Sequence, residues 1–357
     1  MTLLEKIISS QNLENAFNIL CKQRKYYSAH ADIWDLRYNW SSYKQQIITQ
    51  IQAGIFYFDP VTQYMVKNEI CYKRTARDAL ILKAMSLVLN DYLAPKLGKV
   101  YHLKGHGGIS GAIRHVKESL AKNKFVFKSD IKSYYQSINH NMLIQEIDKL
   151  IQDKQVVNLI ENSVRRTNVY GEVYWDCKKG IMQGSSLSPL LGAVALLCWD
   201  KAMQKHGFTY ARYMDDLVML APTRARLRKA IKVTYQALKP WGYKLDKNEK
   251  TYIGKIAEGF DFCGFRLSYN KIILAKSCLA KLEKRLSKLY EQLSKCKSSS
   301  YKNTITTSGL LKKIELYVWR FGRWASVVRR SVIKNCVALT HKYYIKQTIL
   351  ANPPLHN

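Results

Sequence analysis

Two short runs of β-forming residues, each delivering acid, restrict this chain more than any other feature. FVFKSDI (Phe125 to Ile131) places Asp130 at the end of a core strand, and Tyr210 to Ala221 reads as a β-hairpin with Met214-Asp215-Asp216 at its tip. Strand ends are where a sheet presents site residues, so the pattern predicts carboxylates from separate strands converging on one point. Alone, each signal is ordinary. An aspartate after a strand is commonly a cap, and an aspartate pair in a turn is commonly turn chemistry.

The surrounding chain alternates helical and strand patterns. Residues 1 to about 50 carry apolar side chains at helical spacing. Gly54 to Met65 reads as strand and turn, broken at Pro60, and Arg77 to Leu97 as a helix. Tyr101 to Gly111 holds Gly105, Gly107, Gly108 and Gly111, so a flexible or tightly turning loop is expected. Helices are predicted over Asn141 to Arg166, Ser185 to Gln204 and Thr223 to Trp241, and a strand pair over Phe260 to Leu267. Residues 271 to 357 read as helices, with a Lys/Ser/Thr linker at Lys295 to Thr307.

Charge adds a partner class. The 357 residues carry 58 Lys and Arg against 26 Asp and Glu, a formal net charge of +32. Neutralising phosphates releases condensed counterions, so a chain this basic is expected to bind a polyanion. The 24 Tyr and 7 Trp favour nucleic acid over an anionic membrane, since bases stack on such rings. Residues 271 to 357 hold 18 Lys and Arg against 3 Asp and Glu, which points to an arm gripping a nucleic-acid backbone. The eight cysteines form no C-x-x-C pair, which argues against zinc and suits reduced thiols. The longest apolar run, Leu190 to Trp199, is too short to span a membrane, and the N-terminus lacks the pattern of a signal peptide. A cytoplasmic protein is expected.

The order of motifs carries more than any one of them. SDIKSYYQSI is followed by GIMQGSSLSPLL, RYMDDLVML, LKPWGYKLDKNEKT and GFDFCGF. Over roughly residues 60 to 270 this series resembles the palm of reverse transcriptases, particularly bacterial enzymes related to those of group II introns. The resemblance implies an α+β right-hand polymerase fold: an N-terminal helical extension (1–55), fingers (56–124), a palm of antiparallel sheet flanked by helices (125–265, with a finger-derived insert at about 141–180), and a helical thumb and tail (266–357). It implies two Mg2+ ions held by Asp130, Asp215, Asp216 and the carbonyl of Ile131, with Asp216 the least secure ligand. Nucleotidyl transfer needs two such ions roughly 3.5–4 Å apart.

The same resemblance implies the remaining roles. Tyr135 is the steric gate against a 2′-hydroxyl, and Gln183 and Gly184 line the nascent base pair. Ser188 and Pro189 start the next helix. Lys250 stands near the leaving pyrophosphate as a general acid, with a plain surface lysine as the rival reading. Phe262, Cys263, Gly264 and Phe265 form the primer grip, Cys263 replacing the usual leucine. In the fingers, Arg74 foremost and then Lys67 are expected over the triphosphate, with Lys73 and Arg77 as rivals. Lys281, Lys284, Arg285, Lys288, Arg320, Arg323, Arg329 and Arg330 are expected on nucleic-acid backbone, with Trp319 and Trp324 packed in the thumb core rather than stacked on bases.

The expected activity is RNA-directed DNA polymerase, with dNTPs, a structured RNA template and a DNA product strand as partners and no membrane. A catalytically silent RNA-binding protein and an RNA-directed RNA polymerase are the rivals. Retention of all three acids, Tyr135 and Gln183 disfavours the first, and the YMDD turn with Tyr135 the second. The sequence carries no HNH-type or zinc-bearing segment after the thumb-like helices, and neither the altered motif of diversity-generating retroelements nor retron features. The resemblance then implies a compact stand-alone enzyme of the uncharacterised and defence-associated groups, with a dedicated noncoding RNA as template and antiphage defence as its purpose.

Overall fold

A computed structural model of the chain describes residues 1–66, 69–246, 250–298 and 304–325. It divides into two compact units, 1–254 and 255–357. The first opens with helices α1 (Leu3–Ile8), α2 (Ser10–Gln23), α3 (Asp32–Tyr38) and α4 (Trp40–Gln52). Thr2 starts α1 through a reciprocal capping box with Glu5. Strands β1 (Val61–Val66) and β2 (Glu69–Lys73) pair antiparallel, and the long helix α5 (Ala76–Leu97) follows. Leu80, Ile81, Leu82, Met85 and Leu89 of α5 are all buried, on several sides of the helix. A helix apolar on several sides belongs in the middle of a core, and α1, α2, α3 and α10 (introduced below) pack around it.

The chain then runs through α6 (Gly108–Leu120), β3 (Phe125–Asp130), α7 (Tyr134–Ser137), α8 (His140–Leu150), α9 (Lys154–Val164), β4 (Thr167–Tyr170) and β5 (Val173–Asp176). Next come α10 (Ser188–Ala195), α11 (Leu197–Lys205), β6 (Thr209–Tyr213), β7 (Asp216–Ala221), α12 (Arg224–Leu238) and β8 (Tyr252–Lys255). One sheet has the order β6-β7-β3-β8, and its β6–β7 and β7–β3 ladders are antiparallel. Helix α12 packs on it through Leu227, Ala230, Val233 and Leu238. A second sheet has the order β2-β1-β4-β5, so β4 and β5 join the hairpin strands from far upstream, β1 meeting β4 in parallel.

Two predicted helices are each broken in two. Asn141 to Arg166 splits where Asp153 caps α9 through Val156 N–H and also accepts the Leu4 N–H, a tertiary bond no local pattern encodes. Ser185 to Gln204 splits at Leu196, whose φ of −104° leaves the helical region.

In the second unit, β9 (Phe260–Phe262), β10 (Phe265–Leu267) and β11 (Ile272–Leu274) form an antiparallel sheet, followed by α13 (Lys276–Ser298) and α14 (Thr304–Ala325). Leu282, Leu286, Leu289 and Leu293 recur along one face of α13 and bury against Ile314 of α14. The architecture is the α+β class that the sequence implied. Among the described residues no helix is long and apolar enough to cross a membrane.

Candidate active site

The β3–β7 ladder sets Asp130 directly opposite Asp216, and such partners lie about 5 Å apart between Cα atoms. The hairpin tip is the two-residue turn Met214-Asp215, closed by the Tyr213–Asp216 pair. Met214 takes a φ of 56°, which costs a residue with a side chain ~1–2 kcal/mol. Its N–H donates to Nδ1 of His102 at 3.1 Å. The Asp215 carboxyl is pushed above its usual range, first by burial and then by the charge of Asp130. Lys250 Nζ donates to Asp130 Oδ2 at 2.6 Å, a bond that raises the lysine's own pKa. Lys128, two residues before Asp130 and so on the same strand face, brings its Nζ within 3.7 Å of Asp216 Oδ1.

The acids thus have different surroundings: Asp130 and Asp215 repel each other beside Lys250, while Asp216 has Lys128. No group of three or more His, Cys, Asp or Glu side chains that could hold a metal occurs among the described residues. Magnesium, however, is commonly held by one or two carboxylates, with phosphates and water completing its shell. A third donor is positioned by backbone geometry. Asp130 O accepts from Asp246 N–H at 2.8 Å and Lys132 N–H donates to Lys244 O at 2.8 Å, around the Ile131–Leu245 bridge. Successive antiparallel residues direct their polar groups to opposite edges, so Ile131 turns its carbonyl toward the hairpin side. Asp130, Asp215 and that carbonyl offer oxygen donors only, the chemistry that a hard divalent cation would take.

Tyr135, Gln183, Gly184, Pro189, Met214 and Asp215 line a common cavity of about 360 Å³. Tyr134, beside Tyr135, is buried and donates its hydroxyl to Gly192 O. A Cβ on Gly192 would stand 3.0 Å from Tyr135 Cε1, so the absence of a side chain there lets the Tyr135 ring lie flush with α10. Burial, then the Asp215 charge, pushes the Tyr135 hydroxyl up to about 12, which keeps it protonated. The QGSS segment reaches this cavity because Gly180 N–H donates to Ile138 O (2.7 Å) and Ile181 N–H to Tyr135 O (2.8 Å). Gly180 has φ +86°, and a Cβ there would meet Gln136 backbone at 2.9 Å. Gly184 differs: its φ is +85°, but nothing lies within 4 Å of where its Cβ would be. Its backbone conformation requires glycine there, not a close approach by the chain itself.

The expected triphosphate cations are engaged with the chain's own groups. Arg74 is 5% exposed and donates Nη2 to Ser163 O at 2.7 Å, with Asp78 3.9 Å away. Burial lowers its pKa to about 10. Its Nε and Nη1 make no hydrogen bond among the described residues, and it lines a second cavity of about 530 Å³ with Lys73, Lys83 and Gly184. Arg77 pairs with Asp59 (3.0 Å) and Asp78 (3.2 Å) and donates to Tyr57 O at 2.8 Å. Lys67 lies outside the described residues.

Within the second unit, Phe262 and Phe265 are buried partners across the β9–β10 turn, so the turn's outer part is Cys263-Gly264, both at positive φ (49° and 83°). Lys281, Lys284, Arg285 and Lys288 are exposed on α13, off its leucine stripe. Arg320 and Arg323 are exposed on α14; Arg329 and Arg330 lie outside the described residues. Trp324 packs on Phe265 at 4.8 Å. Trp319 corrects the expectation of core packing: it is 57% exposed, with the Arg323 guanidinium 5.2 Å over its ring. An i, i+5 spacing puts the two tryptophans on different helix faces.

Sequence reasoning missed His102, Lys128 and the fully buried ion pair of Arg212 with Asp200 (2.6 Å). Lys128 was legible in principle, since strand alternation puts it on the Asp130 face. Nothing local marks His102, which acts across 112 residues.

The family model described as reverse transcriptase (RNA-dependent DNA polymerase) matches residues 73–267. Protein YkfC of Escherichia coli (strain K12) is 23% identical over 231 residues, which cover 54% of this chain and 61% of that protein. The group II intron-encoded protein LtrA of Lactococcus lactis subsp. cremoris is 25% identical over 279 residues, 71% of this chain and 46% of that one. The chain thus spans about half to three-fifths of these relatives. Among solved structures, a partial Cas6-RT-Cas1--Cas2 complex aligns over 67% of this chain and 42% of that one at 21% identity and a TM-score of 0.42. An apo telomerase from Candida tropicalis aligns over 53% of this chain and 44% of its own at 14% identity and a TM-score of 0.45. The family model takes in more than half of the sequence, with both acid-bearing strands and the QGSS segment inside it: the chain belongs to the reverse transcriptase family.

Proposed function

We propose that this protein is an RNA-directed DNA polymerase that joins dNTPs to a primer on an RNA template. The observation that carries the reading is the placement of Asp130 opposite the Asp215-Asp216 tip, beside a cavity that Tyr135, Gln183 and Gly184 line. Bound divalent metal, taken as magnesium, would activate the primer 3′-hydroxyl and neutralise the triphosphate. Asp130, Asp215 and the Ile131 carbonyl would hold it. Tyr135 fills the side of the cavity where a 2′-hydroxyl would project and so favours deoxynucleotides. Gln183 and Gly184 orient the base pair, and Lys250, kept protonated by Asp130, gives a proton to the leaving pyrophosphate. Arg74 lines the neighbouring cavity and supplies positive charge there.

Residues 56–124, with β4 and β5 joined to the β1–β2 sheet, serve as fingers. The β6-β7-β3-β8 sheet serves as palm, and α13 and α14 serve as a thumb whose exposed cations hold the template–product duplex. A dedicated structured noncoding RNA as template, and antiphage defence as purpose, extend the proposal on family resemblance. Sequencing RNA that co-purifies with the protein tests the template; recovery of random cellular RNA would contradict it.

Nucleotide choice tests the activity. On an RNA template, wild type is expected to incorporate dNTPs, and Tyr135→Ala to raise rNTP incorporation at least about tenfold by removing a steric barrier. A wild-type preference for rNTPs would favour an RNA polymerase instead.

A further inference from the structure

We propose that His102 is a positioning residue for this active site, a neutral imidazole that ties the aspartate-bearing turn to the helix start beside the nucleotide cavity. The inference rests on the polymerase reading and deepens it. His102 lies in the loop between α5 and α6, far from either motif in sequence. Its Nδ1 is 3.1 Å from Met214 N and its Nε2 is 3.0 Å from Pro189 O. A backbone amide only donates and a carbonyl only accepts, so the ring is assigned bare at Nδ1 and protonated at Nε2. An imidazolium would lose the first bond. Burial holds the ring's pKa down at about 4, which keeps the neutral form.

The two groups that His102 joins both belong to the cavity: Met214 precedes Asp215, and Pro189 opens α10. Met214 sits at positive φ, and such a backbone persists only where its surroundings hold it. The bond from its N–H to Nδ1 is one such restraint on the turn that carries Asp215. On the other side, α10 is fixed by two more donors, Tyr134 Oη to Gly192 O and Arg212 Nη2 to Ala193 O (2.9 Å). The imidazole therefore references the strained tip to a well-anchored helix.

This role also accounts for the glycine-rich segment after His102. A Cβ on Gly111 would meet the Tyr101 ring at 3.2 Å, and Gly105, Gly107 and Gly108 all take positive φ. The chain folds back on itself there and places Tyr101-His102 under the hairpin. The glycines shape the loop that delivers the histidine.

Three substitutions separate the two bonds. His102→Asn sets an amide oxygen where Nδ1 stands and keeps an acceptor for Met214 N–H. His102→Gln reaches instead to the Nε2 position, and His102→Leu offers neither bond. Two readouts are needed: hydrogen exchange of the peptide containing Met214 in metal-free protein, and primer extension on RNA with kcat, dNTP KM and half-saturating magnesium determined. His102→Asn, which keeps the acceptor for Met214 N–H and loses the donor to Pro189 O, is expected to keep Met214 protection within about threefold of wild type and to lose less kcat than the other two. His102→Gln and His102→Leu are expected to lose at least about tenfold in both, with half-saturating magnesium raised and dNTP KM changed less. Equal losses of Met214 protection in the Asn and Gln variants would reduce His102 to a packing residue and overturn the proposal, as would wild-type behaviour in all three. If wild type itself extends no primer while Met214 exchange follows the predicted order, the polymerase reading fails and the positioning role stands.

Discussion

Lys250 Nζ stands 2.6 Å from Asp130 Oδ2, so the chain supplies its own cation at an acid proposed to hold metal. The pair keeps the lysine protonated, as the proposed role of general acid requires. Lys250→Met is expected to lower kcat by about 10²-fold with dNTP KM changed little, the scale of a lost general acid. Single-turnover primer extension checks this. An unchanged kcat would make Lys250 a surface lysine.

Two glycines of one segment are expected to fail in different ways. Gly180→Ala drives a Cβ into Gln136 backbone, so it is expected to lower the melting temperature and abolish extension by moving Gln183 away from Tyr135. Gly184→Ala meets no atom and costs only the ~1–2 kcal/mol of a left-handed alanine. It is expected to raise dNTP KM with a much smaller thermal shift. Identical profiles for the two variants would contradict the close approach at Gly180.

The exposed cations of α13 predict a salt dependence. Reversing Lys281, Lys284, Arg285 and Lys288 to glutamate is expected to weaken RNA binding and to flatten log Kd against log salt by about 0.7–0.9 for each phosphate that is no longer neutralised. Their exposure predicts an unchanged melting temperature. An unchanged slope would remove this face from the binding surface.

The His102 imidazole predicts how stability follows pH. In the unfolded chain it takes a proton near 6.5, whereas in the fold burial delays protonation to about 4. The unfolded state binds more protons in that window, so stability falls as pH drops from 6.5 toward 4, by at most about 3 kcal/mol from this group. His102→Asn is expected to flatten the melting temperature across that range. A wild-type pH profile in the variant would contradict the buried neutral ring.

Much of this was legible in sequence where local pattern and tertiary role agree. FVFKSD had to be a strand because its β-formers are buried on both faces, and YMDD had to be a turn because the flanking runs pair across it. Tyr135 could be placed only through the family resemblance, which sets that ring five positions after Asp130. Arg74 was harder, since its charge signalled phosphate while its burial depends on Ser163 and Asp78, which only the fold brings near it. Trp319 was misplaced because aromatic residues on a helix read as core whichever face they occupy. His102 was invisible because both its partners are backbone groups, whose positions no side-chain pattern records.

Asp130 and Asp215 are proposed to run nucleotidyl transfer together. The most direct measurement is primer extension on an RNA template with dNTPs and magnesium, comparing wild type with Asp130→Asn, Asp215→Asn and Asp216→Asn at matched fold by circular dichroism. The account predicts loss of about 10³-fold or more for the first two, as expected when several kcal/mol of metal-assisted stabilisation go, and a smaller loss for Asp216→Asn, whose carboxylate sits with Lys128. Extension at the wild-type rate by Asp130→Asn or Asp215→Asn would contradict it.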